Sequence, residues 1–245
     1  MMTDRRPTSW SVLVFAMVFP TVVTLAYFVL LADYSPSLQQ TAYTIGKAIQ
    51  FAFPAVWVFL VLREKLAWKP PNRRGAAVGV LFGGVILAAM FGLYHWVLAP
   101  IGVFGEAADG PTRQIRDKVQ DLGLDAFWKY ASLGTFYALC HSALEEYYWR
   151  WFVFKRLRER ASPWTAIVVS SCAFMGHHVI LLATFFGWVS PWTYLFSLAV
   201  AVGGIFWAWL YERTGSLCGP WLSHVLVDAA IFTVGYDIVK DMFAN

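Results

Sequence analysis

The chain has 245 residues, of which 59% are hydrophobic, 18% aromatic and only 14% charged, and its formal net charge is +4. Soluble domains carry about 25% charged residues, so this composition excludes an ordinary soluble protein. Mean hydropathy is +0.55, and several apolar runs reach the roughly 20 residues needed to cross a ~30 Å hydrocarbon core. We therefore predict an all-α, polytopic transmembrane helix bundle.

About seven apolar segments are predicted to cross the membrane. In chain order they are 10–32, 42–62, 76–98, 126–154, 164–186, 192–211 and 218–239. The third is rich in glycine, including Gly79 and Gly83, and small residues let helices approach closely. The polar stretch 112–124 is predicted to be an amphipathic surface helix or a solvated linker helix. An eighth crossing is the alternative if 99–125 re-enters the membrane.

The distribution of Lys and Arg predicts the orientation of the bundle. Most of these residues lie in 1–9, 63–74, 155–160 and 212–213, whereas 184–191 contains none. Because cytoplasmic loops carry the excess of Lys and Arg, the N-terminus is predicted to be cytoplasmic. The same rule accounts for the net charge, so we expect no nucleic-acid partner. One membrane domain is expected over 1–245, with spans one to three and their loop in 1–125 and a core in 126–239.

Span four contains three charged residues within a short distance, Glu145, Glu146 and Arg150. Each charge at the centre of a membrane helix costs on the order of 2.5–3.5 kcal/mol even on insertion scales, so such residues are usually functional. A simpler interpretation is that Glu146 and Arg150, four residues apart, form a structural ion pair.

Spans five and seven also place titratable residues at membrane depth. Span five contains the adjacent pair His177 and His178, of which we prefer His178 as functional and expect the other to be structural or lipid-facing. In span seven, the i, i+4 spacing places His224 and Asp228 on one helix face. This pair could be a structural helix–helix hydrogen bond. Together the three spans could form one polar cavity, in which a carboxylate and histidines activate water and stabilise an oxyanion.

Three motifs in this region resemble those of a known family. They are Glu145-Glu146-x-x-x-Arg150, Phe174-x-x-x-His178 and His224-x-x-x-Asp228. In this order on successive spans, they are similar to the signature of the CAAX-protease and bacteriocin-processing family, which includes CAAX prenyl endopeptidases and abortive-infection proteins. The resemblance covers about 127–238, so the first three spans lie outside it.

The resemblance implies an intramembrane endopeptidase that hydrolyses a peptide bond. The implied catalytic residues are Glu145, His178, His224 and Asp228, with Glu146 and Arg150 as supporting residues. Glu145 and His178 would activate the water, and His224 with Asp228 would stabilise the oxyanion. The implied partners are the lipid bilayer and a protein or peptide substrate, lipidated or not, and the implied location is the plasma membrane of a prokaryote.

One position departs from the better-studied prenyl proteases, because Asp228 stands where they have Asn. A carboxyl group must be protonated to donate to an oxyanion, whereas the ionised form would suit orienting His224 or binding a metal. Zinc takes three or four N, O or S ligands, and Glu145, His178 and His224 could supply three. Zinc or another divalent metal and a metal-free glutamate mechanism are both open from the sequence.

Two alternatives come from other functional classes. One is a catalytically silent membrane immunity factor or scaffold, against which stands the presence of every catalytic residue type. The other is a proton-coupled transporter, which also places Glu and His at the midplane. Transporters of this kind commonly carry inverted repeats or broken helices, and the sequence shows neither.

Overall fold

The structure is a computed structural model and describes residues 8–65, 69–105 and 110–243. All regular secondary structure in these ranges is helical. The helices are α1 (Trp10–Leu30), α2 (Pro36–Val61), α3 (Arg73–Leu98), α4 (Pro111–Asp121), α5 (127–158), α6 (Pro163–Phe186), α7 (Pro191–Thr214) and α8 (Cys218–Val239), followed by a 3-10 turn (Lys240–Phe243). Six of them, all except α4 and α5, are long and apolar enough to cross a membrane. The predicted all-α polytopic bundle is confirmed.

Helix α5 is the predicted fourth span and differs from the six apolar helices in its charge. It continues from 127 to 158 without a break, which at 1.5 Å per residue is about 48 Å. Glu145, Glu146 and Arg150 lie in its buried middle. Two π-helical stretches, Tyr137–His141 and Tyr147–Phe154, flank the acidic pair. Helices α1, α2 and α3 also end in π-helical stretches, so the feature that distinguishes α5 is its buried charge.

Helix α4 is the predicted polar helix, and it is held against the bundle. It has 11 residues, about 16 Å at the usual rise, which is too short to cross a membrane. Its Val119 is buried with Tyr130 of α5 and Val239 of α8, and the Lys118 Nζ donates to the Tyr27 hydroxyl at 2.7 Å. The described part of 99–125 therefore caps one end of the bundle and contains no further crossing.

Helix α2 begins at Pro36, six residues before the predicted start at Ala42. The reason is local: the Ser35 hydroxyl accepts a hydrogen bond from the Leu38 amide, and proline is well suited to the first helical position. The Gln39 side chain then donates to the Tyr27 carbonyl of α1 at 2.8 Å. The polar residues of this first turn thus belong to the helix, which the hydropathy pattern concealed.

Glycines of α3 let it approach another helix closely, as the sequence predicted, and the structure shows that this helix is α8. A Cβ atom on Gly79 would overlap the carbonyl oxygen of Gly219, and one on Gly83 would lie 2.9 Å from the Ser223 carbonyl oxygen. On its other side, α8 is held by the Trp207 indole of α7, whose Nε1 donates to the Ser223 hydroxyl at 2.9 Å. These contacts fix the residue after Ser223, which is His224.

Candidate active site

The adjacent carboxylates of α5 are both buried, with Glu145 3% exposed and Glu146 fully buried. Glu146 has two basic partners on one oxygen. Its Oε1 lies 3.0 Å from Arg150 Nη1 and 2.8 Å from His224 Nδ1. The predicted ion pair of Glu146 with Arg150 is confirmed, and the bond to His224 adds a link between α5 and α8 that the sequence did not indicate.

The Arg150 guanidinium is held from several sides, although it is buried. Its centre lies 4.9 Å from the Phe174 ring and 5.0 Å from the Trp207 ring, and Nη2 donates to the Gly204 carbonyl at 3.5 Å. Cation–π contacts of this kind gain strength when the cation is removed from water. Arg150 therefore joins α5 to α6 and α7 and balances the charge of Glu146.

Glu145 lies farther from its basic neighbours than Glu146 does. Its Oε1 lies 3.7 Å from His177 Nε2, and its Oε2 lies 3.7 Å from His224 Nε2. Both distances exceed the 2.7–3.2 Å or so of an N–H···O hydrogen bond. The carboxylate thus has two imidazoles in front of it and no direct bond to either, and a polar group such as water can bond to the carboxylate and an imidazole together.

The orientation of His224 follows from its hydrogen bond to Glu146. An ionised carboxylate can only accept, so Nδ1 must carry the proton that is donated. The other nitrogen, Nε2, is directed at Glu145 and at Asp228, whose Oδ1 lies 3.6 Å away. The Trp207 ring stacks on the imidazole at 4.1 Å. His224 and Asp228 do lie on one face of their helix, as their spacing predicted.

His177 and His178 of α6 occupy different environments. His177 is 5% exposed and stacks on the Trp149 ring, so it is not lipid-facing, and its Nε2 makes the contact with Glu145 described above. His178 Nδ1 donates to the Phe174 carbonyl at 3.0 Å, which leaves its Nε2 without a proton in the neutral ring. Among the described carboxylates, none lies within 4.0 Å of His178.

The structure does not bring Glu145, His178 and His224, the predicted metal ligands, together as one group among the described residues. No group of three or more described His, Cys, Asp and Glu side chains is placed to hold a metal ion. In His224 and His178, Nδ1 is engaged by Glu146 and by a backbone carbonyl, which leaves Nε2 of each ring as the nitrogen available to the site. The chemistry proposed below is therefore derived from side chains alone.

The geometry can be compared with known proteins at this point. Residues 127–230 match a family model described as type II CAAX prenyl endopeptidase Rce1-like. This match is to the family that the three sequence motifs resemble, and it covers the segment that contains them. The Rce1-like segment begins with α5 and extends into α8 beyond Asp228, so it contains all three motifs and excludes α1 to α3. No curated protein and no solved structure matches the chain significantly.

At the level of the family, the match indicates a hydrolase of the CAAX protease type. The six apolar helices place it in an integral, multi-pass membrane protein. The Rce1-like segment supplies every motif residue of the site from α5, α6 and α8.

Three residues near the site were missed by the sequence analysis. Trp149 and Trp207 stack on His177 and His224, and no sequence pattern distinguishes them from other tryptophans. The third is Lys47 of α2, which attracts Glu145 electrostatically. Here a signal was present, because a lysine in the middle of an apolar span is as costly as the glutamates of span four.

Proposed function

We propose that this protein is an intramembrane endopeptidase in which Glu145 activates a water molecule for attack on a peptide carbonyl. The observation that carries the proposal is the contrast between the two carboxylates. Glu146 is neutralised by Arg150 and His224. In Glu145, each carboxylate oxygen instead has one imidazole nitrogen 3.7 Å away. Glu146 Oε2 also has no hydrogen-bond partner among the described residues, but its carboxylate is already paired with two basic groups, so we assign the proton transfer to Glu145.

The water would be shared between Glu145 and His178. A general base must lie within hydrogen-bond reach of the proton that it takes, directly or through one water. Functional histidines commonly have one ring nitrogen fixed by a carbonyl or carboxylate, which sets the tautomer and aims the other nitrogen. His178 and His224 meet this criterion. His177 lies nearer to Glu145, but its Nδ1 is buried without a partner among the described residues.

The reaction follows as two proton transfers around one addition. Glu145 takes a proton from water as the water oxygen bonds to the carbonyl carbon, and the carbonyl oxygen becomes negatively charged. His224, protonated on Nε2 and aligned by Glu146, would donate to this oxyanion. Glu145 then gives its proton to the amide nitrogen as the C–N bond breaks, which releases an amine and a carboxylic acid.

Asp228 fits this scheme as an ionised group. Its carboxylate lies 3.6 Å from His224 Nε2, so it balances the charge of a protonated His224 and need not donate to the oxyanion itself. This removes the difficulty that an aspartate stands where a neutral donor was expected. The scheme requires no metal.

The substrate class proposed is a peptide or membrane-anchored protein with a lipidated residue, which is supported by the family description of a prenyl endopeptidase. Purified wild type and Glu145→Gln, in lipid nanodiscs, would be given prenylated and unlipidated peptides with and without a chelator. Mass spectrometry would report the products. We expect wild type to cleave the prenylated peptides, with chelator present, and Glu145→Gln to be inactive while folded.

Cleavage that survives in folded Glu145→Gln would contradict the role of Glu145. Loss of all cleavage on chelation, with recovery on adding a divalent metal, would contradict the metal-free scheme. Wild type that cleaves no peptide in the set would favour the silent scaffold.

A further inference from the structure

Lys47 is a cation in the middle of an apolar helix. It lies in α2 (Pro36–Val61), 11 residues after the first residue and 14 before the last. Among the residues that the structure describes, no carboxylate lies within ion-pair distance of its ammonium, which instead lies 5.6 Å from the Tyr43 ring and 5.5 Å from the Phe51 ring. Because an unpaired charge at this depth is costly, the presence of a lysine here indicates that a bound ligand supplies its partner.

The position of Lys47 relative to Glu145 can be read from Phe51. The Phe51 ring contacts His141 at 6.0 Å and Tyr148 at 6.3 Å, two residues that bracket Glu145 along α5. Phe51 is therefore level with Glu145. Lys47 lies one helical turn away, about 6 Å along the axis toward the start of α2.

A second polar atom without a partner among the described residues lies near the same Phe51 ring as Lys47. His141 Nε2 is buried and has no hydrogen-bond partner among the described residues, and its ring shares Phe51 with the ammonium. Lys47 acts electrostatically on both His141 and Glu145. Two basic side chains without partners thus lie on the α2 side of the carboxylate that is proposed to activate water.

We propose that Lys47 and His141 form a subsite that binds a carboxylate of the peptide substrate. An ion pair between ammonium and carboxylate is strong where water is excluded, and the imidazole can donate to the same group. An extended peptide advances about 3.3 Å per residue. The anion would therefore lie roughly two to four residues from the cleaved bond, given one helical turn and the reach of a lysine side chain.

This proposal takes one point from the proposed function, which is that the ligand is a peptide. Two sources could supply the carboxylate, the free C-terminus of the peptide or an acidic side chain near its end. Lys47 lies outside the Rce1-like segment and His141 lies within it, so the subsite would combine a residue of the N-terminal helix α2 with one of α5.

Binding can be measured without cleavage in a Glu145→Gln background. The probes are three fluorescent prenylated peptides of one sequence: one with a free C-terminal carboxylate, one with a C-terminal amide, and one with the amide and a glutamate as the penultimate residue. They would be titrated onto Glu145→Gln alone and combined with Lys47→Met, Lys47→Arg or Lys129→Met. The last is the matched control, because Lys129 pairs with Asp125 at the start of α5.

We expect the free carboxylate to increase affinity at least about tenfold over the amide, as expected for a hydrogen bond to a charged group. Lys47→Met should remove this difference and leave the affinity of the plain amide unchanged, while Lys47→Arg and Lys129→Met should keep it. If the glutamate peptide binds as tightly as the acid, a side chain can supply the anion. If it binds as weakly as the amide, the C-terminus is required.

Equal affinity of Glu145→Gln, which retains Lys47, for all three peptides would overturn the subsite. So would a folded Lys47→Met variant whose affinity for every peptide is reduced by the same factor. The cleavage assay is independent of these results. A Lys47-dependent preference without any cleavage by wild type would leave the subsite and refute the peptidase. Cleavage by wild type without a preference would do the reverse.

Discussion

The two sides of the acidic motif differ, although the carboxylates that define them are neighbours in sequence. On one side, Glu146 shares an oxygen between Arg150 of its own helix and His224 of α8, at 3.0 and 2.8 Å, so that its charge links α5 to α8. On the other, the basic groups of the described residues that lie within 4.0 Å of Glu145 are the imidazoles of His177 and His224, each at 3.7 Å. The comparison shows that identical residue types, adjacent in sequence, can have different electrostatic environments, which depend on the groups that other helices place around them.

The largest effect is expected from exchanging the two carboxylates for amides. Glu145→Gln should lower kcat by about 10²–10⁴-fold, the usual contribution of a general base, with little change in the unfolding midpoint. Glu146→Gln should lower the unfolding midpoint, because it removes the charge that balances Arg150. Cleavage assays and thermal unfolding of the two variants would be compared. The same pattern of loss in both variants would contradict the division of roles.

Arg150→Met directly tests the ion pair on the Glu146 side of the motif. Removing one partner of a buried ion pair leaves an uncompensated charge and typically costs about 3–5 kcal/mol, so Arg150→Met should be strongly destabilised in reversible unfolding. The control is Arg158→Met, which breaks the half-exposed pair with Glu212 and should cost at most about 1 kcal/mol. Similar losses in both variants would show that Arg150 does not hold the charge of Glu146.

The Glu145 side of the motif is tested by substituting the two adjacent histidines of α6. His178→Ala should lower kcat/KM by about 10–100-fold, or roughly 1.4–2.8 kcal/mol, because its Nε2 is fixed by the bond from Nδ1 to the Phe174 carbonyl. His177→Ala should have a smaller effect on kcat/KM, since its ring is held by stacking on Trp149 and not by a hydrogen bond. The reverse order would assign the water to His177, the residue nearer to Glu145.

The contact between α3 and α8 affects both sides of the motif, because it positions His224. Gly79→Ala would insert a methyl group against the Gly219 carbonyl and should cost about 1–3 kcal/mol of stability, the range for overpacking. Gly84→Ala is the matched control, since a Cβ there meets nothing within 4 Å. It should be neutral or slightly stabilising in the same unfolding assay. Equal stability of the two variants would show that α8 can shift without cost.

Local sequence patterns predicted most of the architecture. The apolar runs gave the long helices with bounds mostly within a few residues, because hydropathy over about 20 residues is decided by the bilayer. The i, i+4 spacing gave the shared face of His224 and Asp228 and the ion pair of Glu146 with Arg150, since neighbours on one helix do not depend on the rest of the fold. The start of α2 was displaced because its first turn is polar.

The tertiary structure decided the role of each residue within those patterns. Adjacent helical residues point about 100° apart, since a turn has 3.6 residues. Whether Glu145 or Glu146 is neutralised therefore depends on how α5 is rotated against α6 and α8. The two π-helical stretches around the acidic pair alter that rotation. The same holds for His177 and His178, and for Lys47, whose nearness to Glu145 arises from the packing of α2 against α5.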